Sequence, residues 1–245
     1  MALPVAQRAF ESEAVQAVVR AARARSEPGA WAEGHTSSNA VLDLARPAWP
    51  AVEALLGATP LPTSAQVAVK AANPAFAAGP GSSPPPDVHI DGLHAAGNGV
   101  PHGAVQNFSL LLGVALTDMA APNCGNLGVI PGSHTALARA LSSVEDVQAL
   151  GAAAGRIGAT AALSRLVDLE SLAPPVPLLV GAGAAALLHY QTLHFVQPNA
   201  IGPEPRVMVY FRVTSAKRGE RGSSRASAMC GAGLWQEYET FVEGS

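Results

Sequence analysis

From Phe108 to Leu116 the chain carries no charged residue, and Ser109 is its only polar side chain. A run of this length between loop-rich flanks fits a strand buried on both faces. A short buried helix has the same pattern, and periodicity alone leaves it open. The second strong element is Arg206 to Thr214. Strict alternation there puts Val207, Val209, Phe211 and Val213 on one face and Arg206, Met208, Tyr210 and Arg212 on the other. Gln66 to Lys70 alternates in the same way, Leu127 to Ile130 reads as a short strand, and Val176 to Tyr190 as one or two strands.

Helical spacing runs over Phe10 to Arg25, over Ala51 to Leu56 behind Trp49-Pro50, and over the alanine-rich stretch Thr135 to Leu172, broken near Gly155 and Gly158. With 24 Gly and 20 Pro punctuating short strands, the expected fold is mainly β with flanking helices. Its form is a double-stranded β-helix (jelly roll, cupin-like) with an N-terminal helical layer and a helical insertion. One domain is expected over 1–245: helices and a first strand over 1–62, a jelly-roll core over 66–214 with the insertion at 135–172, and a C-terminal tail over 215–245. Ala71 to Asp87 and Gly92 to Gly103 read as loops at the mouth, Lys217 to Ser227 as a polar loop, and Leu234 to Val242 as a last amphipathic segment.

The charged share is 13% and the net charge −3, with no basic stripe. That leaves nucleic-acid binding without electrostatic support. The apolar run Val176 to Leu188 is too short to span a bilayer, and Met1 to Phe10 is no secretory signal. The chain reads as soluble and cytoplasmic, with no membrane span and with Cys124 and Cys230 as two thiols. Oligomeric state is not legible in the sequence.

Chemistry concentrates at His89-Ile90-Asp91-Gly92. In an extended segment His89 and Asp91 point the same way, so an imidazole and a carboxylate converge. Alone, such a pair is a hydrogen-bonded strand end. With a third ligand it is a facial triad for non-haem iron(II). The residues leave two candidates for that ligand, His189 and His194. Arg206, on the face opposite the valines, points inward, and a buried guanidinium needs a carboxylate. A dicarboxylate cosubstrate would supply a bidentate one.

These pieces, in order, resemble the phytanoyl-CoA dioxygenase family of iron(II)- and 2-oxoglutarate-dependent oxygenases. The resemblance is carried by His89-Ile90-Asp91-Gly92, by Gln106-Asn107-Phe108 leading into Leu110 to Asp118, and by Gly125-Asn126-Leu127. Pro131-Gly132-Ser133-His134, His194, Pro198-Asn199, and Arg206 before Val209-Tyr210-Phe211-Arg212 complete it. The resemblance implies Fe(II) held by His89, Asp91 and His194, with 2-oxoglutarate as cosubstrate on Arg206 and O2 as oxidant. It prefers His194 to His189 because Asn199 and Arg206 follow at the family's spacing. It places Asn107 as a cosubstrate contact, with Gln66 as a further one. Val196 departs from the pattern, which often has a hydroxyl side chain there. With Asp91 present, the resemblance implies hydroxylation of a small-molecule or lipid-like substrate, with release of succinate and CO2, rather than halogenation.

Other histidines read differently. His134 closes its turn with Ser133. His94 lies near enough to the triad to touch substrate or a ligand. His102 is a loop residue, His189 a packed one, and His35 a surface or strand one. Two other functions compete. A cupin-like metal- or ligand-binding module without redox activity would have no use for Arg206. A zinc hydrolase would need a general base, and only Asp87 and Asp118 lie near.

Overall fold

The computed structural model describes residues 3–25, 27, 29–73, 87–95, 100–202, 204–218 and 229–239. Two antiparallel sheets organise them. The larger contains Trp31–Thr36 (β1), Ala65–Lys70 (β2), Leu110–Ala115 (β3), Ala185–His189 (β6) and Arg206–Val213 (β8), in the order β1-β2-β8-β3-β6. The smaller contains Leu127–Val129 (β4), Val176–Pro177 (β5) and His194–Val196 (β7), in the order β5-β4-β7. Val176 to Tyr190 thus supplies two strands, one to each sheet.

The apolar run became a strand because both of its faces are covered. Leu111 and Ala115 of β3 join Met208 and Tyr210 of β8 in an inner core, which also takes in Leu127 and Phe195 from the smaller sheet. Leu110, Leu112 and Val114 join Val207, Val209, Phe211 and Val213 in an outer core under the N-terminal helices. Each fully buried Val, Leu or Phe contributes about 1.5–3 kcal/mol by leaving water. The alternation in β8 therefore sets which side chains face the second sheet, and Arg206 is among them.

Four helices cover the outer face: Leu3–Glu11 (α1), Glu13–Ala24 (α2), Asn39–Leu42 (α3) and Trp49–Leu56 (α4). The single helix expected over Phe10 to Arg25 is two. Ser12 breaks it, bonding back to the Ala9 carbonyl and accepting from Val15 N–H as an N-cap. In α4, Pro50 sits in the first turn, where its missing N–H costs nothing.

The insertion is three helices, Ser133–Ala140 (α5), Val144–Ile157 (α6) and Ala159–Ser164 (α7). They break at 141–143 and at Gly158, not at Gly155. A capping box between Ser143 and Asp146 starts α6, and the helix runs through Gly155. Their buried faces (Leu137, Leu150, Leu163) close the inner core.

Two further expectations are corrected. Helical residues outnumber strand residues, so the fold is mixed α/β rather than mainly β, and no closed barrel is formed among the described residues. Val88 to Asp91 is not a strand. Only His89 pairs, in one antiparallel bridge to His194 on the open edge of β7. The C-terminal residues 229–239 form a 3-10 turn at Gly231–Gly233 and further turns, packed back on the core. Residues 74–86, 96–99, 219–228 and 240–245, which include parts of the expected loops and of that last segment, lie outside the described residues. No described helix is long and apolar enough to cross a membrane.

Candidate metal centre

The bridge between His89 and His194 is reciprocal. Each backbone N–H donates to the other's carbonyl at 2.9 Å, which fixes the two rings 4.6 Å apart. His89 Nδ1 lies 2.5 Å from the Asp87 carbonyl and His194 Nδ1 2.9 Å from the Thr192 carbonyl. A carbonyl only accepts, so each ring carries its proton on Nδ1 and aims the Nε2 lone pair at the site. Ser133 supports this arrangement. Its hydroxyl donates to the Ile130 carbonyl and accepts from Leu193 N–H, the residue before His194.

Asp91 completes the group. Its Oδ1 lies 3.9 Å from His89 Nε2 and 3.7 Å from His194 Nε2. The ligand atoms of all three residues fall within 4.8 Å of one another, an arrangement that could hold one metal ion. Gly92 turns the chain just after Asp91. Its φ is +82°, and a Cβ there would lie 1.9 Å from the Gln106 carbonyl oxygen, so no side chain fits. Burial alone would raise the Asp91 pKa. The facing His194 and the Arg212 guanidinium outweigh it and hold the carboxyl well below the usual carboxylate range. His89 keeps a third of its side chain exposed, at 34%. Desolvation on the site side, with His194 adding to it, still lowers its pKa and favours the neutral ring a metal needs.

Arg206 is the largest fully buried side chain of the described residues, at 1% exposure. It faces inward on β8. One nitrogen donates to the Tyr210 hydroxyl. The guanidinium lies 5.6 Å from the Tyr210 ring and 5.8 Å from the Trp31 ring. Its Nε and Nη1 are buried without a hydrogen-bond partner among the described residues. Gly125 makes room for its stem, since a Cβ there would stand 2.8 Å from Arg206 Cβ. Lys70 is its cross-strand neighbour. Burial lowers the Lys70 pKa, with Asp87 opposing and Arg206 adding to the shift. Among the described residues no carboxylate pairs with Arg206.

The other expected residues fall around this centre in different ways. Gln66 reaches it through Arg212, whose Nη2 donates to Gln66 Oε1 at 2.8 Å. Asn107 is buried and accepts from Arg218 Nη1 at 3.0 Å. It lines a small recess of the C-terminal segment with His189, Tyr190 and Glu237. His94 is turned to its own loop, with Nδ1 2.7 Å from the Val100 carbonyl and its ring 4.3 Å from that of His102. His134 packs tilted against His189 and edge-on to Trp235, while the Ser133 hydroxyl bonds within the turn. His35 lies on β1. Arg212, Glu33 and Trp31 were not expected at the site. The alternation that turned Arg206 inward also places Arg212 on that face, which was the available signal.

His189 shows how a packed histidine differs from a ligand. Its Nδ1 accepts from Gln191 N–H, and its Nε2 lies 3.1 Å from the Leu234 carbonyl, so the neutral ring is satisfied at both ends. Protonating Nδ1 would turn a donor against a donor. Burial is the main cause that pushes its pKa down to about 4. The unfolded chain takes up this proton near pH 6.5 and the folded chain only near 4, so stability is lost as pH falls between them. The loss is about 2 kcal/mol from pH 7 to pH 5. Urea midpoints at the two pH values should show it in the parent chain and a smaller loss in His189→Gln. An equal loss in both would refute the assignment.

Neither a family model nor a curated protein matches the chain. Among solved structures it is similar to the non-heme alpha-ketoglutarate-dependent carbocyclase SnoK from nogalamycin biosynthesis. Identity is 20%, over 86% of this chain and 79% of that one, with a TM-score of 0.47. It is also similar to AviO1 from Streptomyces viridochromogenes Tue57, at 18% identity over 88% and 85% of the chains and a TM-score of 0.44. HygX from Streptomyces hygroscopicus, with nickel and 2-oxoglutarate bound, shares 14% identity over 85% and 81%, with a TM-score of 0.44. At TM-scores under 0.5 such likeness assigns no chemistry to this chain; its own side chains must carry that.

Proposed function

We propose that the chain is an iron(II)- and 2-oxoglutarate-dependent dioxygenase that hydroxylates a small-molecule or lipid-like substrate, with release of succinate and CO2. The observation that carries this reading is Arg206, a fully buried guanidinium with two nitrogens unpartnered among the described residues, on the same sheet face as the side chain that pairs with Asp91. A buried cation left unpaired costs several kcal/mol, so the fold has a use for an anion there. A carboxylate at the guanidinium would supply an acceptor that it lacks among the described residues. The donor set fits the same chemistry. Two neutral imidazoles and one carboxylate on one side suit iron(II) and leave room for a two-point ligand.

Bound iron(II) and 2-oxoglutarate would supply oxidative decarboxylation coupled to hydroxylation by dioxygen. The chain's own part is to hold and orient. His89 and His194 present Nε2, Asp91 presents Oδ1, and Arg206 would anchor the far carboxylate of the cosubstrate. The apolar inner core behind them keeps bulk water from the anchor.

Anaerobic titration with iron(II), with and without 2-oxoglutarate, tests the reading. A weak visible charge-transfer band that needs both partners is the expected result. Iron binding without such a band would favour a metal-binding module without redox activity. Asp91→Ala should lose bound iron by metal analysis; unchanged iron content would overturn the triad.

A further inference from the structure

A row of polar contacts runs across the inner face of three adjacent strands and ends on the metal-facing carboxylate. Trp31 Nε1 donates to Glu33 Oε2 at 3.0 Å. Gln66 Nε2 donates to the same oxygen at 2.8 Å. Arg212 Nη2 donates to Gln66 Oε1 at 2.8 Å. Arg212 Nε donates to Asp91 Oδ2 at 3.0 Å, and Nη2 lies 2.8 Å from the same oxygen. The residues come from the adjacent strands β1, β2 and β8, and Gln66, which stands opposite His35 and Tyr210, reaches Glu33 and Arg212 diagonally. Every role is fixed by chemistry. An indole and a guanidinium only donate, so Glu33 accepts twice, the Gln66 amide nitrogen must face Glu33, and its oxygen must face Arg212.

We propose that Arg212, aimed by Gln66 and Glu33, is a positioning residue that ties up Oδ2 of Asp91 and so makes Asp91 a one-oxygen metal ligand. This rests on the triad reading above. A free carboxylate can bind a metal through one oxygen or through both. Here Oδ2 faces two guanidinium nitrogens, while Oδ1 alone faces the two imidazoles. Binding through both oxygens would fill a position the cosubstrate or dioxygen needs. The guanidinium is matched to this task by its flat fork; a lysine ammonium would keep the charge and lose the direction. Phe108 supports the fork, with its ring 6.0 Å from the guanidinium carbon. The row also ends near the other functional cation, since the Trp31 ring packs over Arg206.

Anaerobic cobalt(II) titration followed by visible absorption tests this without turnover. Arg212→Gln should weaken cobalt(II) binding by about 10- to 100-fold, the range found when a ligand's hydrogen-bond partner is removed. It should also change the cobalt band pattern, which a purely structural role would not do. Arg212→Lys should regain part of the affinity and not the band pattern. Gln66→Leu should shift both in the same direction by a smaller factor. Wild-type affinity and bands in Arg212→Gln, with cobalt(II) binding lost in Asp91→Ala, overturn the role of Arg212 and leave the triad standing. Unchanged binding in Asp91→Ala itself overturns the triad instead. If Arg212→Gln does not fold by circular dichroism, Gln66→Leu decides, and wild-type bands there overturn the proposal.

Discussion

Arg206→Met is expected to weaken 2-oxoglutarate binding by about 100-fold or more while leaving the ligand-free fold at least as stable as the parent. The two halves of this result come from one fact. The guanidinium is buried with Nε and Nη1 unsatisfied, so in the empty protein it costs free energy. Methionine keeps the apolar stem that Gly125 admits and removes the orphaned donors. It gives up the Tyr210 hydrogen bond and the stacking on Trp31 and Tyr210, each worth about 1 kcal/mol, against a penalty of about 1–3 kcal/mol for each unsatisfied buried group. The ligand, by contrast, loses a desolvated charge pair worth about 2–5 kcal/mol. Isothermal titration of the metal-loaded protein with 2-oxoglutarate reads the first half, and urea denaturation of the metal-free protein reads the second. Unchanged affinity together with a fold destabilised by more than about 2 kcal/mol would mean that Arg206 is a structural residue and that the cosubstrate assignment fails.

Much of this site was legible because it rests on period-two alternation. One face of Arg206 to Thr214 is apolar without exception, so the opposite face had to carry Arg206 inward. The same rule put His89 and Asp91 on one side of Ile90, which is buried in the inner core. What alternation cannot supply is the partner across the fold. His189 and His194 were equal candidates by residue type, and only the resemblance separated them. The structure separates them by hydrogen bonding, since His189 is satisfied at both nitrogens and His194 keeps one free for the site. Arg212 shares a face with Arg206, but its partner Asp91 lies 121 residues earlier, and no local pattern says which cation meets which anion. Asn107 is held by Arg218, 111 residues later, at a segment whose spacing read as a polar loop. The break in the N-terminal helix was visible as a serine before Glu13, yet the apolar period ran through it and masked the cap.

Glu237→Ala is expected to destabilise the protein by about 3–5 kcal/mol, the range for removing one partner of a buried ion pair. Glu237 and Arg218 are each about nine-tenths buried, with side-chain exposures of 10% and 9%. Arg218 meets the carboxylate at both ends of its fork, Nε to Oε1 at 2.5 Å and Nη2 to Oε2 at 2.7 Å. The remaining acceptors and donors are used as well. Ser109 donates to Glu237 Oε2, its hydroxyl accepts from Ser215 N–H at 2.8 Å, and Arg218 Nη1 bonds Asn107. The pair therefore ties the C-terminal segment to the start of β3 and to the chain leaving β8. Tyr238 adds to this by donating to the Ser109 carbonyl, and Gln191 by donating to the Met229 carbonyl. Removing the carboxylate strands a guanidinium among Phe108, Tyr190 and Leu234, which line the same recess. Urea midpoints of the metal-free protein would show the loss. The double replacement Arg218→Met with Glu237→Leu should recover most of it, because two apolar side chains of similar volume carry no desolvation penalty. A loss under about 1 kcal/mol in the single variant would mean that water reaches the pair and that the C-terminal segment is only loosely seated. Recovery in the double variant with intact iron binding would show that this segment buttresses the sheet edge behind Tyr190 and that the metal centre does not depend on its charge.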